Sequence, residues 1–142
     1  MVVVPPLGEA LGEALKVNTK LTWLGIGANN TGDEGVAELA AGLKVSTALT
    51  TLDLLSNSIG NAGVAALAEA LKANKTLTEL GISGDKIGEA GVAALAEALK
   101  VNTALVRLDF EGDIEDLSRG PLAEILKANK TLVVCFNGTE MR

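Results

Sequence analysis

The sequence lacks residues on which most enzymes and metalloproteins depend. Among 142 residues there is no histidine and a single cysteine, Cys135. Without histidine the chain has neither the usual general base near neutral pH nor the commonest metal ligand. One cysteine permits no intramolecular disulfide and no cysteine-cluster zinc site. We therefore expect no enzymatic activity, no catalytic residue, no metal and no cofactor.

Aromatic residues, basic residues and long apolar runs are also scarce. Aromatics make up 2% of the chain, and 12 basic side chains stand against 18 acidic ones, for a net charge of −6. The acidic balance argues against binding to nucleic acid or to an anionic membrane. No stretch approaches the ~18 consecutive apolar residues of a membrane span, and no signal-peptide pattern is present. Together with the unpaired cysteine, these features predict a cytoplasmic protein.

Leucines recur at a nearly constant spacing. They are Leu21, Leu49, Leu77 and Leu105, each 28 residues after the last, and Leu132, which follows after 27. A ten-residue block, Gly-Val-Ala-Ala-Leu-Ala-Glu-Ala-Leu-Lys, occurs identically at 63–72 and 91–100. Identity in register with the leucine spacing identifies a tandem repeat. We predict a single domain over 1–142 with repeats at about 7–20 (partial), 21–48, 49–76, 77–104, 105–131 and 132–142 (partial).

Each repeat has a strand half and a helix half. Alternation such as Leu52-Asp53-Leu54 is typical of a strand with one buried face, and the spacing of Val64, Leu67 and Leu71 is typical of a helix. We expect three residues to cap the starts of their own helices: Asp33, Asn61 and Glu89. Lysines recur in the last turn of each helix, with glutamates three residues earlier in most repeats. Asparagines that follow those lysines suit a left-handed residue ending the helix, namely Asn18, Asn74, Asn102 and Asn129.

A strand–helix unit of this size cannot bury both faces alone, so the copies must stack. Strands are about 4.8 Å apart and helices about 8–10 Å, so the two layers must curve. Small side chains at Ala40, Ala68 and Ala96 would let neighbouring helices approach closely. The sequence predicts an α/β fold, a right-handed solenoid shaped as a short horseshoe, with parallel strands on the concave side and helices on the convex side.

The pattern Leu-x-x-Leu-x-Leu-x-x-Asn followed by an Ala/Leu-rich helix resembles the ribonuclease-inhibitor-type leucine-rich repeat. The resemblance covers about residues 7–137. It implies that the residue at the ninth place hydrogen-bonds the loop backbone and forms a structural ladder. Here those positions are Asn29, Asn57, Asp85 and Asp113. Because an ionised aspartate can accept but not donate, we expect the ladder to change at the last two positions.

Side chains between the buried leucines should line the concave face. The candidate partner-binding residues are Trp23, Thr51, Asp53, Leu55, Glu79, Arg107, Asp109 and Glu111. Tryptophan and arginine are favoured interface anchors, so Trp23 and Arg107 lead this set. Two structural alternatives remain open: Trp23 packs against its neighbours, and Arg107 pairs with Glu79 or Asp109. Counting from Leu132 also places Val134 and Phe136 on this face.

Other candidates favour structural roles. Acidic residues around 111–116 lack the spacing of a calcium loop, so a solvated loop is favoured. Gly25-Ile-Gly27 lacks the third glycine of a dinucleotide fingerprint. Cys135 occupies a leucine position and should be a small core residue.

The ends of the array carry no evident caps. The first helix has no preceding strand in register, and the last strand, 132–136, would be an apolar edge open to another chain. We consider two explanations: the chain is a fragment of a longer array, or it forms a homodimer through its uncapped terminal repeats.

The favoured function is non-enzymatic: a protein–protein interaction module that binds a protein partner through the concave face. Three alternatives remain. Helix endings such as Leu-Lys-Ala-Asn-Lys-Thr-Leu (71–77) resemble the repeats of tropomodulin-type proteins, which implies actin binding or capping. The repeat type is also similar to that of Ran GTPase-activating proteins, with Arg107 as the available concave arginine. Finally, near-identical repeats also fit an immune-receptor sensor fragment or a synthetic consensus array.

Overall fold

The computed structural model describes residues 7–27, 31–55, 57, 59–83, 87–111 and 120–141. Five helices alternate with strands along the chain. The helices are α1 (Leu7–Val17), α2 (Gly32–Val45), α3 (Asn61–Ala73), α4 (Glu89–Val101) and α5 (Pro121–Ala128). The strands are β1 (Trp23–Gly25), β2 (Thr51–Leu54), β3 (Glu79–Ser83), β4 (Arg107–Glu111), β5 (Val133–Phe136) and β6 (Thr139–Met141). Among the described residues no helix is both long and apolar enough to cross a membrane.

The strands form one sheet in sequence order, β1 to β6. Strands β1 to β5 are parallel, and Trp23 pairs with Thr51, Thr51 with Glu79, and Glu79 with Arg107. These partners are 28 residues apart, so the leucine spacing sets the strand register. The predicted α/β leucine-rich-repeat solenoid, with parallel strands on one layer and helices on the other, is confirmed.

The core lies between the sheet and the helices. The leucine positions of the central strands are fully buried, as are the stripe residues Val64, Leu67 and Leu71 of α3. Leu52 and Leu54 point inward while Asp53 between them is half-buried, which is the expected strand alternation. Alternation therefore places every second strand residue on the concave face.

Neighbouring helices approach closely through small residues. The predicted spacers Ala40, Ala68 and Ala96 are buried. Between α1 and α2 the approach is closer still, since a Cβ on Gly12 would overlap the carbonyl of Glu38 and one on Gly42 would overlap the backbone of Gly12. Glycine at these points lets two helix backbones meet without a side chain between them.

The last parallel strand is shifted from its predicted register. Arg107 pairs with Val133 and Asp109 with Cys135, an offset of 26 residues rather than the 27 counted from Leu132. Val134 and Phe136 therefore face the core instead of the concave face. Cys135 lies on the concave face beside Asp109 instead of at a core leucine position. The positions predicted for these three residues are wrong because the leucine count missed a second deletion in the final turn, although Cys135 is buried, as predicted, at 6% exposure.

The prediction that β5 is an open edge is also wrong. The chain turns at Asn137 and Gly138, both with positive φ (48° and 83°), and β6 pairs antiparallel with β5. Asn-Gly in a two-residue hairpin supplies the left-handed conformations of a type I′ turn. The apolar strand is thus covered by the chain's own next segment.

The predicted cap residues Asp33 and Asn61 do not cap their own helices. Instead, Oδ1 of Asp33 accepts hydrogen bonds from the N–H groups of Gly60 (2.7 Å) and Gly63 (3.1 Å) at the start of α3. Oδ1 of Asn61 accepts in the same way from Gly88 and Gly91 at the start of α4. The third predicted cap, Glu89, does not cap its own helix either, since α4 begins at Glu89 itself with Gly88 at the N-cap position. The starts of α3 and α4 are therefore satisfied by the preceding repeat.

Three of the asparagines that end the helices, Asn74, Asn102 and Asn129, are extended rather than left-handed, with φ near −74° and ψ near 132° at Asn74. Their side chains explain why asparagine recurs. The Nδ2 atom of Asn74 donates to Leu43 O (2.7 Å) and its Oδ1 atom accepts from the N–H of Leu77 (2.8 Å). Asn102 repeats this arrangement one unit later. Each buried asparagine thus ties its own turn to the preceding helix end.

Candidate partner-binding face

The concave face consists of rows of side chains that run across the strands. The first row follows the register Trp23, Thr51, Glu79, Arg107 and Val133. The second row is Gly25, Asp53, Gly81, Asp109 and Cys135. Leu55, Ser83 and Glu111 extend the face at the carboxyl ends of the strands. The eight predicted partner-binding residues therefore share one surface.

Trp23 lies flat over its own strand. A Cβ on Gly25 would overlap the six-membered ring of the indole, so the ring occupies the space that a side chain at position 25 would fill. Even so, Trp23 is 58% exposed. Because Gly25 has no side chain, the indole can lie over the strand, and it presents a large exposed aromatic surface at one end of the face, as an interface anchor requires.

Arg107 is held by a neighbour on the same strand. Its Nε donates to Oδ2 of Asp109 at 3.2 Å, and this hydrogen bond, with the carboxylate's charge, raises the pKa of the guanidinium. The structural alternative of an Arg107–Asp109 pair is therefore observed. The side chain of Arg107 is still 48% exposed, so a partner can reach it.

Cys135 adds a buried thiol beside this ion pair. Burial, assisted by a hydrogen bond with Asp109, raises the pKa of the thiol, although the charge of Arg107 acts in the opposite direction. Since the thiolate is the reactive form, this rise in pKa favours the less reactive protonated thiol.

The face is acidic. Among the residues that the structure describes, five carboxylates project from it against one arginine: Asp53, Glu79, Asp109, Glu111 and Glu140. Glu140 was not predicted, because it lies on β6 opposite Cys135 and the sequence analysis ended the sheet at β5. The Asn-Gly turn before it was the signal that could have revealed it. A basic surface would complement this face.

Two of the predicted residues are fixed in place by local contacts. Oδ1 of Asp53 accepts from the N–H of Leu55 at 2.9 Å. The Leu55 side chain in turn lies against Gly81, where a Cβ would be 3.3 Å from Leu55 Cγ. Leu55 is half-buried, so it offers a smaller apolar surface than Trp23.

Of the four predicted ladder residues at the ninth place, Asn57 is the one that the structure describes. Asn57 is 4% exposed, and its Nδ2 donates to Ile26 O and Leu54 O, both at 3.0 Å. Its Oδ1 accepts from the hydroxyl of Thr31 at 2.5 Å. Asn29, Asp85 and Asp113 lie outside the described residues, as does most of the acidic loop that follows β4. In the described part of the chain no group of three or more His, Cys, Asp or Glu side chains is arranged to hold a metal.

Comparison with solved structures shows the same fold elsewhere. A structure described as "Leiomodin-1 Actin-Binding Site 2 (ABS2)" aligns with a TM-score of 0.81 and 24% identity, covering 94% of this chain and 81% of that chain. The tropomodulin C-terminal domain from Caenorhabditis elegans aligns with a TM-score of 0.58 and 15% identity, covering 87% of this chain and 93% of that chain. At these identities the likeness concerns the fold. A comparison with curated proteins gave no match.

A match to a family profile shows which family the chain belongs to, whereas the solved structures show only the fold. The profile described as the TMOD/LMOD Leucine-rich domain matches residues 3–111, which include the repeats from α1 to β4. That span contains the first-row positions from Trp23 to Arg107. The chain belongs to the family of TMOD/LMOD leucine-rich domains.

Proposed function

We propose that this chain is an actin-binding domain that contacts actin through its concave strand face. Two findings support the proposal: membership of the TMOD/LMOD leucine-rich-domain family, and the alignment of 94% of the chain with a structure described as an actin-binding site of leiomodin-1. The second observation carries the proposal, because it names a partner. These comparisons favour the actin alternative over an unspecified partner.

The proposed contact residues are the eight concave residues predicted from the sequence, with Glu140 added. Trp23 offers exposed aromatic area at one end, and the carboxylates offer hydrogen-bond acceptors along the rest. A surface fixed by a parallel sheet loses little conformational entropy on docking, so moderate contacts suffice for affinity. The role is binding, with no chemical step, and it would place the protein in the cytoplasm with actin.

The finer classification is part of the proposal. The 28-residue register of β1 to β4 supports repeats of the ribonuclease-inhibitor-like type. We regard residues 1–142 as one repeat domain with the boundaries given above. A homodimer through the terminal repeats remains a proposal, now at the open edge of β6 rather than at β5.

Co-sedimentation with actin filaments tests the actin proposal. We expect the wild-type chain to pellet with filaments and Trp23→Ala to weaken binding by about 30-fold, the effect of losing an interface hot spot. Leu7→Ala is the matched control, because Leu7 is an exposed apolar residue on α1, away from the concave face.

Three outcomes are informative. No binding to filaments or to monomeric actin would contradict the actin proposal. Binding that is unaffected by Trp23→Ala and by Arg107→Glu would retain actin as partner but contradict the concave face as the site. Equal losses in Trp23→Ala and Leu7→Ala would also contradict it, since the effect would not be specific to the face.

A further inference from the structure

Lysine is concentrated on one edge of the solenoid. This edge contains the C-terminal turns of the helices and the turns that lead to the following strands. Eight of the chain's nine lysines lie there, all exposed, and we call them the lysine edge: Lys16, Lys20, Lys44, Lys72, Lys75, Lys100, Lys127 and Lys130. In a chain with a net charge of −6, this is a strong local excess of positive charge.

The lysine edge is only partly neutralised. Glutamates one turn earlier pair with Lys16, Lys72, Lys100 and Lys127 at 2.7–3.2 Å. Within the described part of the chain, Lys20, Lys44, Lys75 and Lys130 form no ion pair. The turn segments 18–22, 46–50, 74–78, 102–106 and 129–132 contain no acidic residue at all.

Helix dipoles explain only some of these lysines. A cation in the last helical turn offsets the partial negative charge of the helix end, which accounts for one lysine in each helix. Lys20, Lys75 and Lys130 follow the helix ends and lie in the turns. Their positions therefore require another explanation.

Exposed aliphatic side chains accompany the lysines. The last residues of α1, α2 and α4 are Val17, Val45 and Val101, which are 80%, 54% and 61% exposed. Each follows a lysine of the edge directly in sequence. Because equivalent residues of stacked repeats align along the solenoid, the edge presents these three valines beside a row of cations, with Ala73 of α3 between the second and third valine.

We infer that the lysine edge is a second binding surface, separate from the concave face, and that it binds an acidic protein segment with interspersed aliphatic side chains. Valines distinguish this partner from a nucleic acid, whose backbone offers charge without aliphatic surface. A protein segment that alternates carboxylates with leucine or valine satisfies both rows.

The dimensions suit a short helix lying across the repeats. Helix axes are about 8–10 Å apart, so three neighbouring repeats present roughly 30 Å of edge. A helix of about 20 residues has the same length. One such segment can contact lysines and valines from three or four repeats at once.

The test uses a synthetic helical peptide of about 20 residues with glutamates and leucines on one face. We expect it to bind the full chain, more weakly as salt rises, while the matched glutamine–leucine peptide does not bind. The triple variant Lys20→Gln/Lys44→Gln/Lys75→Gln should weaken binding by about tenfold or more. The separate variant Val45→Ser, which keeps every lysine, should also weaken peptide binding.

The control variant adds the same negative charge elsewhere. Ala10→Glu/Ala62→Glu/Ala90→Glu changes exposed residues nearer the helix starts and gives the same net charge as the triple lysine variant. Peptide affinity should stay close to wild type in this control. Trp23→Ala should also leave peptide binding unchanged, so this proposal stands or falls separately from actin binding.

Four results would overturn the inference. The acidic peptide fails to bind at low salt, the two triple variants lose affinity equally, or the Val45→Ser variant binds as tightly as wild type. The fourth is preference for another anion, in which phosphatidylserine vesicles or a DNA duplex bind more tightly than the peptide.

Discussion

The two edges of the solenoid join neighbouring repeats in different ways. At the helix-to-strand edge, asparagines at equivalent places make the same set of hydrogen bonds in successive repeats. At the strand-to-helix edge, the link is Asp33 in one repeat and Asn61 in the next, with Asn57 adding contacts of its own. The Asn74 and Asn102 link is constant and buried, whereas the link through Asp33 and Asn61 varies and is partly or fully exposed; Asn57, at 4% exposure, is buried like the former.

Burial is the physical basis of this difference. Asn74 and Asn102 are 3% and 5% exposed, so water cannot replace a lost hydrogen bond. Asn61 is exposed, and Asp33 is half-buried. We therefore expect the energetic cost of removing a link to be larger at Asn74 and Asn102 than at Asp33 and Asn61.

Removal of a buried asparagine should have the largest effect. Asn102→Ala leaves Leu71 O without its 2.7 Å donor and the N–H groups of Ala104 and Leu105 without an acceptor. Because unsatisfied buried groups cost about 1–3 kcal/mol each, we expect a loss of about 3 kcal/mol of unfolding free energy. Urea denaturation measures it.

Asn18 provides the matched control for this prediction. It occupies the equivalent place in the first repeat. Its Oδ1 accepts hydrogen bonds from the backbone N–H groups of Lys20 and Leu21, but the residue is exposed. Asn18→Ala should cost less than about 1 kcal/mol because water can take over its hydrogen bonds. Equal costs at the two positions would contradict burial as the cause.

Loss of a cross-repeat cap should have an intermediate effect. In Asp33→Ala the N–H groups of Gly60 and Gly63 lose their shared acceptor, and we expect a cost of about 1 kcal/mol, as for other helix caps. Asp33→Asn keeps the acceptor oxygen, as Asn61 does in the next repeat, and should restore most of the stability. If both variants were equally unstable, the hydrogen bonds would not be the source of the effect.

The features of the fold that follow directly from the repeat period could be predicted from the sequence. Leucine spacing predicted the strands, their register from β1 to β4, and the common surface of Trp23, Glu79 and Arg107. It did not predict the cross-repeat caps, because a local pattern does not reveal which neighbouring backbone an oxygen will reach. Asp33 was therefore assigned to its own helix.

The end of the array was mispredicted for a different reason. The final turn is shorter, so counting from Leu132 assigned Val134 and Cys135 to opposite faces from those they occupy. Asn137-Gly138 did carry a usable signal for β6, since this dipeptide favours a tight hairpin. The concave candidates from Trp23 to Glu111 were found because they lie where the period is intact.

The smallest expected effect concerns the surface ion pairs of the lysine edge. Hydrogen bonding to Lys72 and its charge lower the pKa of Glu69 below the ordinary 4.5, and Lys100 does the same for the pKa of Glu97. A carboxyl whose pKa is lower in the folded state stabilises the fold above its unfolded pKa. That contribution is lost as pH falls below about 4.5 through the folded pKa.

The double variant Glu69→Gln/Glu97→Gln removes this pH-dependent contribution. As the pH is lowered from about 6 to about 3, the urea concentration at its unfolding midpoint should fall slightly less than that of the wild-type chain. Glu9→Gln/Glu38→Gln, at exposed positions on α1 and α2, is the control and should follow wild type. Because exposed pairs contribute little and are screened by salt, the difference should shrink as ionic strength rises, unlike the cost of Asn102→Ala. A salt-independent difference would mean that the pairs stabilise the edge through packing rather than charge.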